Sequence, residues 1–279
     1  MTAGDVLRDE SPPERSSRAP QLSVVLPCYR AADLARRSVL ELADFLESSR
    51  HSWEIIVVDD GGGDFGSDQI ASDPRITLLK LPVNEGKGAA VAAGMLQAKG
   101  CARVFTDVDL PYGAAAVAVA AEYILERQFH MVLGDRTMGT SRISDTTPRR
   151  QLASGFFSRF VGILVTGGFF DTQCGLKGFR GDVADAIFRL VKLKGFAFDV
   201  EVVYLALRYH ADIKRIPVQL LANDRSSVRI SHDSVRMFFD VLRIKYFQLQ
   251  GCYDDDRLAL IVQRDFQQAM ESALRSSDI

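Results

Sequence analysis

The sequence predicts an α/β protein with a mostly parallel central sheet covered by helices on both faces. Short apolar runs alternate with segments whose apolar residues recur at helical spacing, which implies strand–helix repetition. The runs are apolar at successive positions, as in strands buried on two sides, and two of them stop at carboxylates, Asp59-Asp60 and Asp107-Val108-Asp109. In such sheets the ligand crevice lies beyond the carboxyl ends of the strands, so these four carboxylates are expected near one edge.

Leu22 to Leu26 is the first strand, stopped by Pro27, and Leu34, Val39, Leu42 and Leu46 form the stripe of the first helix. Ile55 to Val58 and Ile76 to Leu81 are the next strands, each expected to lead into helix-forming sequence. Gly88 to Lys99 is Ala-rich and helical, Arg103 to Thr106 a fourth strand, Ala114 to Arg127 a helix and His130 to Leu133 a fifth strand. The order then changes: a polar loop from Asp135 to Thr147 precedes an aromatic helix from Arg149 to about Val165, a half expected to form the acceptor side. Helices at Ala184 to Val191 and Val200 to Tyr209, a strand at Ile213 to Leu221 and a helix at Ser234 to Leu249 complete the unit. Asp254-Asp255-Asp256 is placed to cap a last helix, Leu258 to Leu274, lying on the outside or against a partner. Residues 1–20, rich in Ser, Pro, Arg and Glu, read as a disordered leader, 21–251 as one catalytic domain and 252–279 as a helical extension.

Composition narrows the function classes. With 47% hydrophobic and 25% charged residues and a net charge of −2, the 279-residue chain has no general attraction for nucleic acid, so any anion site must be local. The four cysteines, Cys28, Cys101, Cys174 and Cys252, lack zinc-knuckle spacing and fit reduced thiols in cytosol. No run approaches the ~20 apolar residues of a membrane span. Contact with a membrane would therefore be peripheral, at its cytoplasmic face, through Ser154 to Phe170 and Ser234 to Leu249, although core packing explains their apolar positions equally well.

Asp107 and Asp109 flank one residue after a strand, and in extended geometry their carboxylates would share a side about 6 to 7 Å apart. They read either as oxygen ligands for a hard cation such as Mg²⁺ or Mn²⁺, which takes substrate phosphates as further ligands, or as a solvated strand end. Asp59 or Asp60, followed by Gly61-Gly62, reads as an acceptor for a base or ribose donor or as a plain turn. Asn84-Glu85-Gly86-Lys87-Gly88 opens a helix and is expected to offer free N–H donors and Lys87 to an anion. The glycine fingerprint of nicotinamide-binding folds is missing after the first strand, which ends Pro27-Cys28-Tyr29-Arg30.

In that order, Val24-Val25-Leu26-Pro27-Cys28-Tyr29, Val57-Val58-Asp59-Asp60-Gly61, Asn84 to Gly88, Thr106 to Asp109, Gly134-Asp135-Arg136, Asp171 to Lys177 and Phe196 to Glu201 form a joint series. Together these motifs resemble the family 2 glycosyltransferases, particularly the dolichyl-phosphate glucosyltransferases and related polyprenyl-phosphate sugar synthases. The resemblance runs from about Leu22 to Gly251 and implies a GT-A fold and inverting transfer of a hexose from UDP-glucose or GDP-mannose to a lipid phosphate. It implies that Pro27 and Tyr29 line the base pocket, that Asp59 or Asp60 reads base or ribose, and that Lys87 and Val108 lie at the nucleotide. By the same resemblance Asp107 and Asp109 hold Mg²⁺ or Mn²⁺, Arg136 faces phosphate and Gln173 shapes the sugar site. Arg30-Ala31 stands where the family reads Asn-Glu, so one carboxylate expected near the base is absent, and Gly62 replaces a serine.

Two acceptors make opposite demands. A polyprenyl phosphate is already anionic and needs cations, for which Arg136, Arg149, Arg150 and Arg159 are candidates. A soluble hydroxyl, on a saccharide or natural product, needs a base, for which Asp199 or Glu201 is the choice, unless both merely favour a helix start. His232 is either a further metal ligand or solvent-exposed. A nucleotide-sugar-binding protein without turnover is the reading from another class, and a homodimer is compatible with every one of them.

Overall fold

The computed structural model describes residues 19–66, 70, 72–138, 171–221 and 230–277. Its sheet has seven strands: β1 (Leu22–Cys28), β2 (Trp53–Asp59), β3 (Ile76–Lys80), β4 (Ala102–Phe105), β5 (Met131–Asp135), β6 (Lys177–Arg180) and β7 (Ile213–Pro217). The helices described are α1 (Ala32–Glu47), α2 (Lys87–Gln97), α3 (Gly113–Leu125), α4 (Gly181–Leu190), α5 (Phe198–Arg208), α6 (Ile230–Leu249) and α7 (Asp256–Ser277). The expected leader falls outside the described residues except for its last two positions, and the aromatic helix with Arg149, Arg150 and Arg159 falls outside them entirely.

Strand order is β3-β2-β1-β4-β6-β5-β7, with β6 antiparallel to both neighbours and every other pairing parallel. Alternation along β1 explains its continuous apolar run. Val24 and Leu26 pack with α1 and α3 on one face, while Val25 packs with α2 and the helices from α4 onward on the other. The chain turns from β1 through α1 to β2 on one side, and from β3 through α2 to β4 on the other, so a crevice opens where β1 meets β4.

Four expectations are corrected. Pro27 lies inside β1: Thr106 N–H donates to the Val25 carbonyl, and Pro27 faces the same side past the last residue of β4, where its missing donor breaks no ladder bond. The connection from β2 to β3 holds turns and no helix among its described residues. Asp107 to Asp109 is a tight turn and not an extension of the strand, because β4 stops at Phe105 and Leu110 N–H closes back on the Asp107 carbonyl at 2.9 Å. Lys177–Arg180, unforeseen as a strand, pairs with both β4 and β5.

The C-terminal helix packs on α4, with Leu258 fully buried. Asp255 caps it, accepting N–H bonds from Arg257 at 2.7 Å and Leu258 at 3.2 Å. Asp265 then fastens it to the sheet, meeting His130 Nε2 at 2.9 Å and the Arg180 guanidinium at 2.5 Å. Among the described residues no helix is long and apolar enough to cross a membrane. The outer face of α6 nevertheless exposes Phe239, Leu242, Tyr246 and Leu249, spaced as one helical stripe.

Candidate active site

Parallel strands deliver their carboxyl ends to one edge, and the reversed β6 delivers its lead-in, Asp171 to Leu176, to that same edge. Residues distant in sequence therefore meet around the β4 turn. Gly175 lies against Asp107 so closely that a Cβ there would stand 2.1 Å from Asp107 Oδ2. Any side chain at 175 would push the Asp107 carboxylate aside.

Lys87, the first residue of α2, places its Nζ 2.6 Å from Asp107 Oδ1 and 3.9 Å from Asp199 Oδ2. Burial alone would lower its pKa, but Asp107 and Asp199 outweigh that and hold it above the ordinary lysine value. Asp199 also pairs with Lys177, a fully buried lysine that donates to the Cys174 carbonyl at 2.7 Å. Asp109 is half-buried, and burial first and the adjacent Asp107 second raise its pKa above the usual carboxylate range.

Crowded like charges of this kind are what a divalent cation relieves, and the donors are the hard oxygens Mg²⁺ and Mn²⁺ prefer. Asp107 and Asp109 fit such an ion as a two-carboxylate contribution. No group of three or more His, Cys, Asp or Glu side chains among the described residues forms a complete metal cage. The side chain of His232 lies outside the described residues.

The expected anion cradle at α2 is corrected, because four of its donors are already used. Glu85 N–H and Gly86 N–H donate to the two Asp60 oxygens at 2.8 and 2.9 Å, and Gly88 N–H and Ala89 N–H donate to the Lys194 carbonyl. Gly86 accommodates this packing with φ of +107° and a hypothetical Cβ only 2.5 Å from that carbonyl. Asp59, also buried, accepts Gly62 N–H at 2.7 Å. Asp59 and Asp60, at the end of β2 and just after it, thus shape loops beside the crevice, and Tyr29, 44% exposed, presents its ring with the Arg30 guanidinium 5.1 Å away.

Arg136 follows β5 and is tied to Asp171 by its backbone N–H at 2.7 Å and by a two-pronged guanidinium pair, at 3.0 and 2.6 Å. Gln173 is part-buried in the same lead-in. Val108, at the tip of the β4 turn, is part-buried against the core beneath α1 and α3. Glu201 is not brought to the crevice. It is fully buried, accepting Lys192 N–H at 2.9 Å, Leu193 N–H at 2.8 Å and the Tyr253 hydroxyl at 2.5 Å. Burial leaves its carboxyl above the ordinary Glu range even against those donors.

Several site residues escaped the sequence reading. Lys177 and Asp171 stand in a motif whose resemblance assigns neither of them a role. Asp64 accepts Ala32 N–H at 2.8 Å, capping α1 from another loop. The available signal was the start of α1 at Ala31-Ala32, which has no capping side chain of its own.

Known proteins share the sequence pattern and the fold. The Glycosyl transferase family 2 description matches residues 23–188. A dolichyl-phosphate beta-glucosyltransferase of Dictyostelium discoideum is 30% identical over 83% of this chain and 76% of its own. The human protein of that name is 27% identical over 84% and 77%. In structure, glucosyl-3-phosphoglycerate synthase from Mycobacterium tuberculosis, crystallised with Mn²⁺, UDP and glucosyl-3-phosphoglycerate, superimposes with a TM-score of 0.59 at 15% identity, covering 81% and 80% of the two chains. Mannosyl-3-phosphoglycerate synthase from Rubrobacter xylanophilus gives 0.55 at 18% identity, covering 83% and 75%. The shared architecture is the GT-A fold.

Proposed function

Because the chain belongs to glycosyl transferase family 2 and is a glycosyltransferase, we propose that it moves glucose from UDP-glucose to a polyprenyl phosphate of the dolichyl type, inverting the anomeric carbon. Relatives across the full catalytic unit carry that acceptor and sugar in their names, and structural neighbours were crystallised with UDP and Mn²⁺, which favours UDP over GDP. The observation that carries the choice of acceptor is the state of the two carboxylates suited to act as a base. Asp199 is enclosed by Lys177 and Lys87, and Glu201 is sealed from solvent by three donors. A hydroxyl acceptor would need one of them within reach, whereas a phosphate acceptor brings its own negative oxygen.

In this reading an acceptor phosphate oxygen attacks the anomeric carbon from the face opposite the leaving group. The bond from that carbon to the diphosphate oxygen breaks, and its electron pair leaves with UDP. A divalent cation, Mg²⁺ or Mn²⁺, bound by Asp107 and Asp109 would neutralise charge on the departing diphosphate. Tyr29 and Pro27 would flank the base, with Asp59 and Asp60 holding the loops around it. Arg136, preorganised by Asp171, lies at the strand edge where phosphate oxygens would be bound. The exposed stripe of α6 supports contact with the lipid surface in which such an acceptor resides.

Incubation with radiolabelled UDP-glucose, MnCl₂ and a short-chain polyprenyl phosphate should produce label extractable into organic solvent, and Asp109→Ala should abolish it. Transfer to soluble saccharides with no organic-phase product would replace the lipid acceptor by a hydroxyl one. Binding of UDP-glucose with neither transfer nor hydrolysis would reduce the protein to a nucleotide-sugar binder.

A further inference from the structure

The charges at the β4 turn follow an order. Lys177, Asp199, Lys87 and Asp107 alternate in sign, and the two lysines are held differently. Lys177 has no exposure and two fixed acceptors, the Cys174 carbonyl and Asp199 Oδ1, so it is locked. Lys87 stands between two carboxylates and bonds one: 2.6 Å to Asp107 Oδ1, 3.9 Å to Asp199 Oδ2. A charge-assisted bond of this type closes at about 2.8 Å, so a shift of about 1 Å would transfer the ammonium from the first carboxylate to the second. A compact ammonium on a flexible four-carbon stem makes that movement readily.

Asp107 is more exposed than Asp199, with side-chain exposures of 36% and 4%. An incoming cation therefore meets Asp107 first and finds one of its oxygens already taken by Lys87. Asp199, by contrast, is out of reach of solvent ions and faces an ammonium that can move. We propose that Lys87 is the resting counter-ion of Asp107 and yields that carboxylate to the divalent cation by shifting to Asp199, which Lys177 holds in place as its second seat. This inference rests on the metal-dependent reading above. It makes Asp199 a positioning residue that takes no proton from the acceptor.

Binding of Mn²⁺ alone, followed by the electron paramagnetic resonance signal of the free ion, tests the exchange without any turnover. Lys87→Met removes the competitor and should bind Mn²⁺ at least about fivefold more tightly than wild type, the lower end of ordinary coupling between sites. Lys87→Arg keeps the charge and should restore wild-type affinity. Asp199→Asn removes the second seat and should weaken Mn²⁺ binding. The paired change Lys177→Met with Asp199→Asn repeats that measurement with no unpaired buried ammonium, so a folding defect cannot stand in for the result. Unchanged or weaker Mn²⁺ binding in Lys87→Met overturns the exchange, as does wild-type affinity in the paired variant. Thermal stabilisation by UDP with Mn²⁺ separates the two levels: if wild type shows it and Lys87→Met gains no Mn²⁺ affinity, the exchange alone falls. If wild type binds neither Mn²⁺ nor UDP, the metal-dependent reading falls with it.

Discussion

Replacing Gly175 with alanine puts a methyl carbon 2.1 Å from Asp107 Oδ2 and 2.8 Å from its Cγ. Real Cβ atoms essentially never approach closer than 3.0 Å, so the carboxylate must retreat by at least 0.9 Å, the difference of those two distances. The retreat is modest in cost for the fold, because the obstacle is the end of a side chain that is 36% exposed, although its other oxygen holds Lys87. Stability should fall by about 1 kcal/mol or less. It is expensive for the chemistry, since misplacing a reacting or ligating group by about 1 Å costs on the order of 100-fold, equivalent to about 2.7 kcal/mol in the barrier. The assay is kcat/KM for the proposed glucosyl transfer from UDP-glucose, read beside a urea melt of the same preparation. A Gly175→Ala enzyme within about threefold of wild type would refute the assignment of Asp107. So would a stability loss as large as the activity loss, which would make the effect one of folding.

Other consequences follow from the same contacts. Asp60→Asn replaces one carboxylate oxygen by an amide nitrogen facing either Glu85 N–H or Gly86 N–H, leaving a part-buried donor unpaired, and should cost about 1 kcal/mol in chemical denaturation. Lys177→Met leaves Asp199 without its buried partner and should cost about 3 to 5 kcal/mol, much of it recovered when Asp199 is changed to Leu as well. For Asp265, burial raises the carboxyl pKa, but bonds from His130, Arg180 and Arg264 outweigh it and the folded-state pKa is lowered. Its stabilisation is therefore complete above the unfolded value of about 3.9 and lost as pH falls through the folded value. The stability gap between wild type and Asp265→Asn, measured by urea melts from pH 7 to pH 3, should close on the acid side.

Elements whose signal is local were legible in the sequence. The runs of β1 and β2, apolar at consecutive positions, could only be strands covered twice, and the stripe of α1 matched one buried face, Val39, Leu42 and Leu46. β6 was missed because Lys177-Gly178-Phe179-Arg180 is half polar, and only the fold reveals that Lys177 is buried against a carboxylate. Asp107 to Asp109 follows a strand as the sequence implies, yet its turn depends on a hydrogen bond that no spacing rule specifies. At Asn84 to Gly88 the sequence reading failed for a nonlocal reason. Glycines before a helix do suggest open donors, but the acceptors that fill them, Asp60 and the Lys194 carbonyl, come from remote segments. The cap of α1 is likewise nonlocal: Asp64 accepts Ala32 N–H from another loop, which no reading of Arg30-Ala31 in isolation would find.

The Tyr253 hydroxyl supports Glu201, Glu201 holds the amides of Lys192 and Leu193, and the neighbouring Lys194 carbonyl ties down the first turn of α2, where Lys87 begins. During synthesis the amino-terminal half emerges first, at about 5 to 20 residues per second, with β1 to β4 and the β4 turn already available to pair. The lysine that faces that turn is not yet clamped, because the last link of its support has still to leave the ribosome. A nascent chain arrested before Tyr253 would thus have the strands and the β4 turn in hand while lacking the hydroxyl on which Glu201, and through it the first turn of α2, depends.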